Sequence, residues 1–236
     1  INENCGSTHL ENLKKFVVEN KLNLGIAYDG DGDRCLAVDE KGNVIDGDVI
    51  LAIISDKLKR EGKLKNNTLV ATVMSNLGLN KYCLEQGMNI KQTKVGDRYV
   101  LEEMLKEDYN LGGEQSGHII FLDYNPTGDG ILTSLMLIDA IISKGTSASE
   151  VAKLITIYPQ VLVNVKVEND KKMDYQKDSI IIKAMEELEK SEEIGRILIR
   201  PSGTEPLVRV MIEGKDKEYI TQKANELAEL MKERLQ

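Results

Sequence analysis

The sequence predicts an α/β fold, with a mostly parallel sheet covered by helices, followed by a separate α+β domain with an antiparallel sheet and helices on one face. Two observations predict it. Between residues 22 and 145, short apolar runs rich in Val, Ile and Leu alternate with segments of helical periodicity, the βαβα order that lays strands parallel. Beyond Pro159 that order stops, and two strand runs, 161–167 and 196–214, flank a polar helical stretch, as in an antiparallel sheet.

The elements follow in order. Thr8-x-x-Glu11, ahead of Leu13, Phe16 and Val17, has the form of a capping box and predicts a helix opening at Thr8. LNLGIAY (22–28) is a strand, and CLAVDEKGNVI (35–45) reverses through Asp39–Asn43 with Gly42 at the bend, a hairpin. One helix and these short strands cannot bury themselves. Residues 1–45 are therefore expected to be the tail of a larger domain, and the chain a fragment. Residues 46–150 form the next domain: helix from Asp46 to Arg60, strand 67–75, helix 79–87, strand 89–95 and helix 98–108, then a Gly-rich loop at 112–117, strand 118–122 and helix 129–145. A short helix over 147–156 leads to the last domain, 155–236. There the sequence predicts strand 161–167, helix 174–190, a hairpin over 196–214 and a helix from Asp216 to the end.

Bulk composition excludes several classes. With 236 residues, 41% of them hydrophobic, the chain is long enough for real cores. A net charge of −8 argues against nucleic acid as a partner and against a basic helix on a membrane surface. Aromatic content of 4%, with no Trp, offers no base-stacking platform. Cys5, Cys35 and Cys83 are odd in number and widely spaced, which reads as reduced thiols of a cytoplasmic protein. No apolar run reaches membrane-spanning length, so no membrane partner is expected.

The chemistry concentrates in three stretches. AYDGDGDRCLAV (27–38) places Asp29, Asp31 and Asp33 at alternate positions with Arg34 beside them. The stretch is either a polar surface turn rich in Asp and Gly or a cation site, since three carboxylates within one turn repel each other unless a cation sits among them. An EF-hand loop needs Gly at its sixth position and helices on its flanks; here the sixth position is Arg34 and the flanks are strands. What remains suits Mg²⁺, a hard cation that keeps positions for water and phosphate oxygens, with Arg34 placed for a phosphoryl group. GGEQSGH (112–118) is either a tight turn with a polar rim or a pocket wall. If it is extended, its alternate residues Glu114, Ser116 and His118 face one sugar-sized pocket. RPSGTEP (200–206) is either an ordinary hairpin loop or a phosphate nest. In the second case Arg200 grips an anion and Ser202, Gly203 and Thr204 supply donors, with Arg209 on the returning strand.

In that order and spacing, GIAYDGDGDR, GGEQSGH and RPSGTEP resemble the α-D-phosphohexomutases, with DYNPTGDG and VGDRYVLEEM (95–104) resembling the amino-sugar branch. The resemblance implies three-layer mixed-sheet domains and a C-terminal α+β domain. It implies interconversion of hexosamine 6- and 1-phosphates through a phosphoserine enzyme and a bisphosphate intermediate, with homodimers possible for the full-length protein. It makes residues 1–45 the end of a second domain with the metal loop, 46–150 a third with the sugar loop, and 155–236 a fourth with the phosphate loop. Asp29, Asp31 and Asp33 would hold Mg²⁺, and Arg34 would touch the phosphoryl group in transfer. Glu114, Ser116 and Asp97 would meet the sugar, with His118 near the proton transfers. Arg200, Ser202, Gly203, Thr204 and Arg209 would grip the phosphate that is not reacting. The family's Ser-His-Asn serine loop is not among these residues, so this piece alone is expected not to turn over. The mannose/glucose branch of the family, and a non-catalytic module binding sugar phosphate or metal, are the alternatives.

Overall fold

The computed structural model describes residues 3–235, which form two compact units parting between Thr156 and Ile157. The first unit opens with α1 (Glu11–Glu19) and a meander of β1 (Leu24–Tyr28), β2 (Cys35–Asp39) and β3 (Val44–Ile45). It continues with α2 (Gly47–Arg60), β4 (Thr68–Thr72), α3 (Leu77–Glu85), β5 (Asn89–Thr93) and α4 (Asp97–Glu107). β6 (Leu111–Gly113), β7 (Ile119–Phe121), α5 (Gly130–Lys144) and α6 (Ala148–Ala152) complete it. The second unit contains β8 (Gln160–Lys166), α7 (Ser179–Glu189), β9 (Ile194–Pro201), β10 (Leu207–Gly214) and α8 (Lys217–Arg234).

The main sheet of the first unit runs β5-β4-β6-β7, with β4 parallel to both its neighbours and β7 antiparallel at the edge. Every residue of β4 is buried, and its alternation builds the layers. Leu69 and Ala71 enter the core made by α2, α3 and α5, while Val70 meets Val100 and Met104 of α4 on the other side. The result is a three-layer α/β/α arrangement. In the small meander, Ala27 and Val38 pack on Leu10 and Val17 from the α1 side, whereas Ala37 and Ile45 point into the main core. Local chemistry fixes where helices begin. The side chains of Asp46, Asn76, Asp129, Ser147, Asp178 and Asp216 each accept a backbone N–H of the first turn they precede.

In the second unit the antiparallel sheet runs β8-β10-β9. Val208 and Val210 of β10 face Ile181 of α7 and Leu227 and Met231 of α8, so the helices cover one face. Alternation then puts Arg209, and Arg200 directly opposite it on β9, on the other face.

Three expectations are corrected. Thr8 caps nothing: its hydroxyl pairs with the His9 ring at 3.0 Å, and α1 starts after Leu10 without a side-chain cap. The Gly-rich run read as loop from 112 begins inside a strand. β6 forms because β4 and β7 both pair with it, and Gly112 is required where a Cβ would lie 2.6 Å from Met104 Sδ. The helix over 147–156 is only α6, which loses its hydrogen-bond pattern past Ala152.

Glu40, in the β2–β3 turn, reaches across to cap α6, accepting from the Ser149 hydroxyl at 2.5 Å and the Ser149 N–H at 3.1 Å. Burial alone would push this carboxyl up. The Ser149 hydroxyl, backbone N–H groups and Ser147 outweigh it and hold the pKa down at about 2, against an ordinary 4.5. A depressed pKa means stability present above 4.5 and lost as pH falls toward 2. Glu40→Gln is therefore expected to flatten the loss of stability across that window, read as urea midpoints at several pH values. An unchanged slope would show that the contact contributes nothing to folding.

Candidate functional site

The loop between β1 and β2 carries the acidic cluster. One carboxylate oxygen from each of Asp29, Asp31 and Asp33 lies within 4.8 Å of the others, Asp31 being exposed and the other two half-buried. Asp29 Oδ1 accepts the Arg34 N–H at 3.1 Å, and the Arg34 guanidinium stands 3.8 Å from its other oxygen. Burial pushes the Asp29 carboxyl up, but these contacts and its hydrogen bonds to Asp33 and Asp31 carry it below its ordinary value. Asp33 moves the other way: burial and the neighbouring Asp29 raise it, against the pull of His118. Asp33 Oδ1 is buried and has no hydrogen-bond partner. A buried acceptor left unpaired costs about 1–3 kcal/mol, and a cation among these oxygens removes that cost. The donor set is all oxygen with one open side, which fits a hard divalent cation.

The loop from Glu114 to Gly117 leans on the back of this cluster. It is a tight turn closed by Gly117 N–H donating to Glu114 O at 3.0 Å, so the alternation expected of an extended chain does not apply. Ser116 is exposed, Glu114 is half-buried and His118 is only 4% exposed. His118 forms a β-bridge with Arg34, and Cys35 N–H donates to Gly117 O at 3.1 Å. The His118 ring is held on both sides. Gly128 N–H donates to Nε2 at 3.1 Å, which leaves Nδ1 as the protonated nitrogen, donating to Asp33 Oδ2 at 2.9 Å. Asp97 Oδ2 lies 4.0 Å from His118 Nε2. The structure thus brings Asp29, Asp31, Asp33, Arg34, Glu114, His118 and Asp97 into one neighbourhood.

Four residues that the sequence reading passed over shape this site. Gly96, at φ 127°, donates its N–H to Glu114 Oε1 at 3.0 Å. Gln115 reaches Asp46 at 3.3 Å, and Gly47 N–H donates to Gln115 O at 3.0 Å, which seats the loop on the start of α2. Gly128 orients His118. Gly96, Gln115 and Gly128 lie within the quoted stretches VGDRYVLEEM, GGEQSGH and DYNPTGDG, whereas Gly47 lies in none of them.

In the second unit, Arg200 and Arg209 oppose each other in register, and both have a buried Nε without a hydrogen-bond partner. Burial, then the charge of Arg209, pulls the Arg200 pKa down. Arg209 has one counter-charge, Glu205, at 3.0 Å. Ser202 is buried, and its hydroxyl accepts Glu205 N–H at 3.2 Å, whereas Gly203 and Thr204 are exposed at the tip. Two guanidiniums opposed across a ladder are destabilising without an anion between them.

Residues 46–158 match the phosphoglucomutase/phosphomannomutase alpha/beta/alpha domain III, and residues 162–230 match the C-terminal domain of the same family. The chain belongs to the phosphoglucomutase/phosphomannomutase family. Among relatives of this family member is the phosphoglucosamine mutase of Acetivibrio thermocellus, 57% identical over 236 residues, which are all of this chain and 53% of the relative. Another is the phosphoglucosamine mutase of Caldicellulosiruptor saccharolyticus, 58% identical over the same share. The chain spans about half the length of these relatives. A crystal structure of Aspergillus fumigatus N-acetylphosphoglucosamine mutase, in complex with GlcNAc-6P and magnesium, superposes with a TM-score of 0.77 at 20% identity, covering 100% of this chain and 54% of that one. A putative phosphomannomutase of Thermus thermophilus gives 0.65 at 20% identity, with 94% and 50% covered. Both likenesses concern the fold. Among the described residues, no helix of this family member is long and apolar enough to cross a membrane.

Proposed function

We propose that the whole protein is a phosphoglucosamine mutase, interconverting glucosamine 6-phosphate and glucosamine 1-phosphate through a phosphoserine and a bisphosphate intermediate. One observation carries this reading: the acidic cluster, with its unpaired Asp33 oxygen and adjoining Arg34, is bonded through His118 to the loop of Glu114 and Ser116. A phosphoryl-transfer centre and a hydroxyl-binding loop are thereby one construction. The names of the relatives favour the amino sugar over mannose or glucose.

Asp29, Asp31 and Asp33 would hold Mg²⁺, which supplies charge neutralisation for a phosphoryl group in transfer. Arg34 faces that phosphoryl group as a fork of donors. Glu114, fixed by Gly96, accepts from sugar hydroxyls, and Ser116 and Asp97 bound the same ligand. His118, with both ring nitrogens engaged, serves as the brace that aims Asp33. Arg200, Arg209 and the Ser202–Thr204 tip hold the phosphate that is not reacting, so that its binding energy orients the sugar. In this assignment, residues 1–45 close a second domain, 46–150 are the third and 155–236 the fourth. The cell's cytoplasm and a homodimeric assembly accompany the same reading.

Calorimetric titration of the chain with glucosamine 6-phosphate, mannose 6-phosphate and glucose 6-phosphate tests it, with Arg200→Ala as control. Preference for the amino sugar is expected, with affinity weakened about tenfold or more in the control, as loss of a charge-assisted contact implies. Equal binding by control and wild type would remove the phosphate loop from the reading. Preference for mannose 6-phosphate would move the protein to the family's other branch.

A further inference from the structure

Beneath the phosphate loop lies a cation that the proposed reaction does not use. Lys172 stands in the turn between β8 and α7 and is 8% exposed. A buried ammonium is costly unless something on the protein needs it. Its Nζ donates at 2.8 Å to the backbone carbonyl of Ser202, itself 5% exposed. The acceptor is a peptide carbonyl, not a carboxylate, so this contact leaves the charge of Lys172 uncancelled. Three residues on, the Tyr175 hydroxyl donates at 3.2 Å to the carbonyl of Ile199. One turn therefore grips the loop at two carbonyls, one just before Arg200 and one at its tip.

From this geometry we infer that Lys172 is a positioning residue for anion binding at the Arg200–Thr204 loop, a role that rests on reading the loop as the phosphate grip. The peptide joining Ser202 to Gly203 is trans, as are all the described peptide bonds. In a trans peptide the C=O and N–H point in opposite directions. Anchoring the Ser202 carbonyl inward on Lys172 turns the Gly203 N–H outward, at the exposed tip where an anion arrives. The ammonium also polarises that peptide, which makes its N–H a stronger donor. The ligand class is a phosphate monoester or free phosphate, for which Arg200 and Arg209 supply the charge and Gly203 the directed N–H.

The test is titration of the chain with inorganic phosphate, read by calorimetry and by the amide resonance of Gly203. Lys172→Met is expected to weaken phosphate binding about tenfold, the scale of one charge-assisted hydrogen bond, and to abolish the phosphate-induced shift of the Gly203 amide. Lys172→Arg is expected to recover both. A structural role alone would alter thermal stability in all variants without singling out the Gly203 shift. If Lys172→Met does not fold, Lys172→Gln replaces it with the same expected loss. A folded variant that binds phosphate like wild type, while Arg200→Ala does not, overturns this proposal alone. A wild-type chain that binds no phosphate, or an Arg200→Ala chain that binds it as well as wild type, overturns the loop reading and this proposal with it.

Discussion

Replacing Asp31 with Asn is expected to raise the thermal midpoint of the metal-free first unit slightly and to erase the further rise that Mg²⁺ gives the wild-type chain. The two halves of that result come from one cause. Asp31 is the exposed member of three carboxylates within 4.8 Å, so removing its charge relieves repulsion at no cost in packing. The same removal takes one of three oxygen ligands from the cation. At ten times its dissociation constant, a cation that binds only the folded chain stabilises it by about 1.4 kcal/mol. In a unit of this size that corresponds to about 3–6 °C. Differential scanning calorimetry with and without Mg²⁺ reads both effects. In the mutase proposed above, the same substitution is expected to lower turnover by about a thousandfold, since phosphoryl transfer depends on charge stabilisation. An equal Mg²⁺-induced rise in wild type and variant would mean that the cluster is not the cation site.

Gly47→Ala is expected to damage the first unit severely for so small a substitution. In most helices the change helps, because alanine is the better helix former by about 1 kcal/mol. Gly47 is the first residue of α2, yet a Cβ there would lie 2.1 Å from Glu114 O and 2.8 Å from both Gln115 O and Gly117 N. All three atoms are backbone, so no side chain can swing aside. The loop must move or the helix start must unwind, at a cost of about 3 kcal/mol. The midpoint of this unit should fall by about 6–12 °C. Moving the loop also shifts His118 away from Asp33, so the Mg²⁺ response should weaken with it. A midpoint that rises would show that the Glu114–Gly117 loop does not rest on α2.

What the sequence shows clearly is what local chemistry decides. Five of the six capping residues are Asp or Asn, the sixth is Ser147 in a Ser-x-x-Glu setting, and each sits where its helix begins. The alternating aspartates stand out because like charges at that spacing repel one another, and one carboxylate oxygen of each does lie within 4.8 Å of the others. The features that escaped are set at long range. β6 reads Leu-Gly-Gly, poor strand chemistry, and exists only because β4 and β7 pair with it. Thr8 has the right spacing for a cap, but its hydroxyl finds His9 first. Nothing near Lys172 in the sequence announces that it lies under a loop thirty residues away.

The bridge between Arg34 and His118, continued by Cys35 and Gly117, has a practical meaning for protein engineering. Segments more than eighty residues apart share one hydrogen-bonded seam. A graft that swaps the Glu114–Gly117 loop alone imports half a seam and leaves the carboxylates facing a foreign edge. The smallest transferable cassette is both segments together, with the start of α2 on which the loop rests.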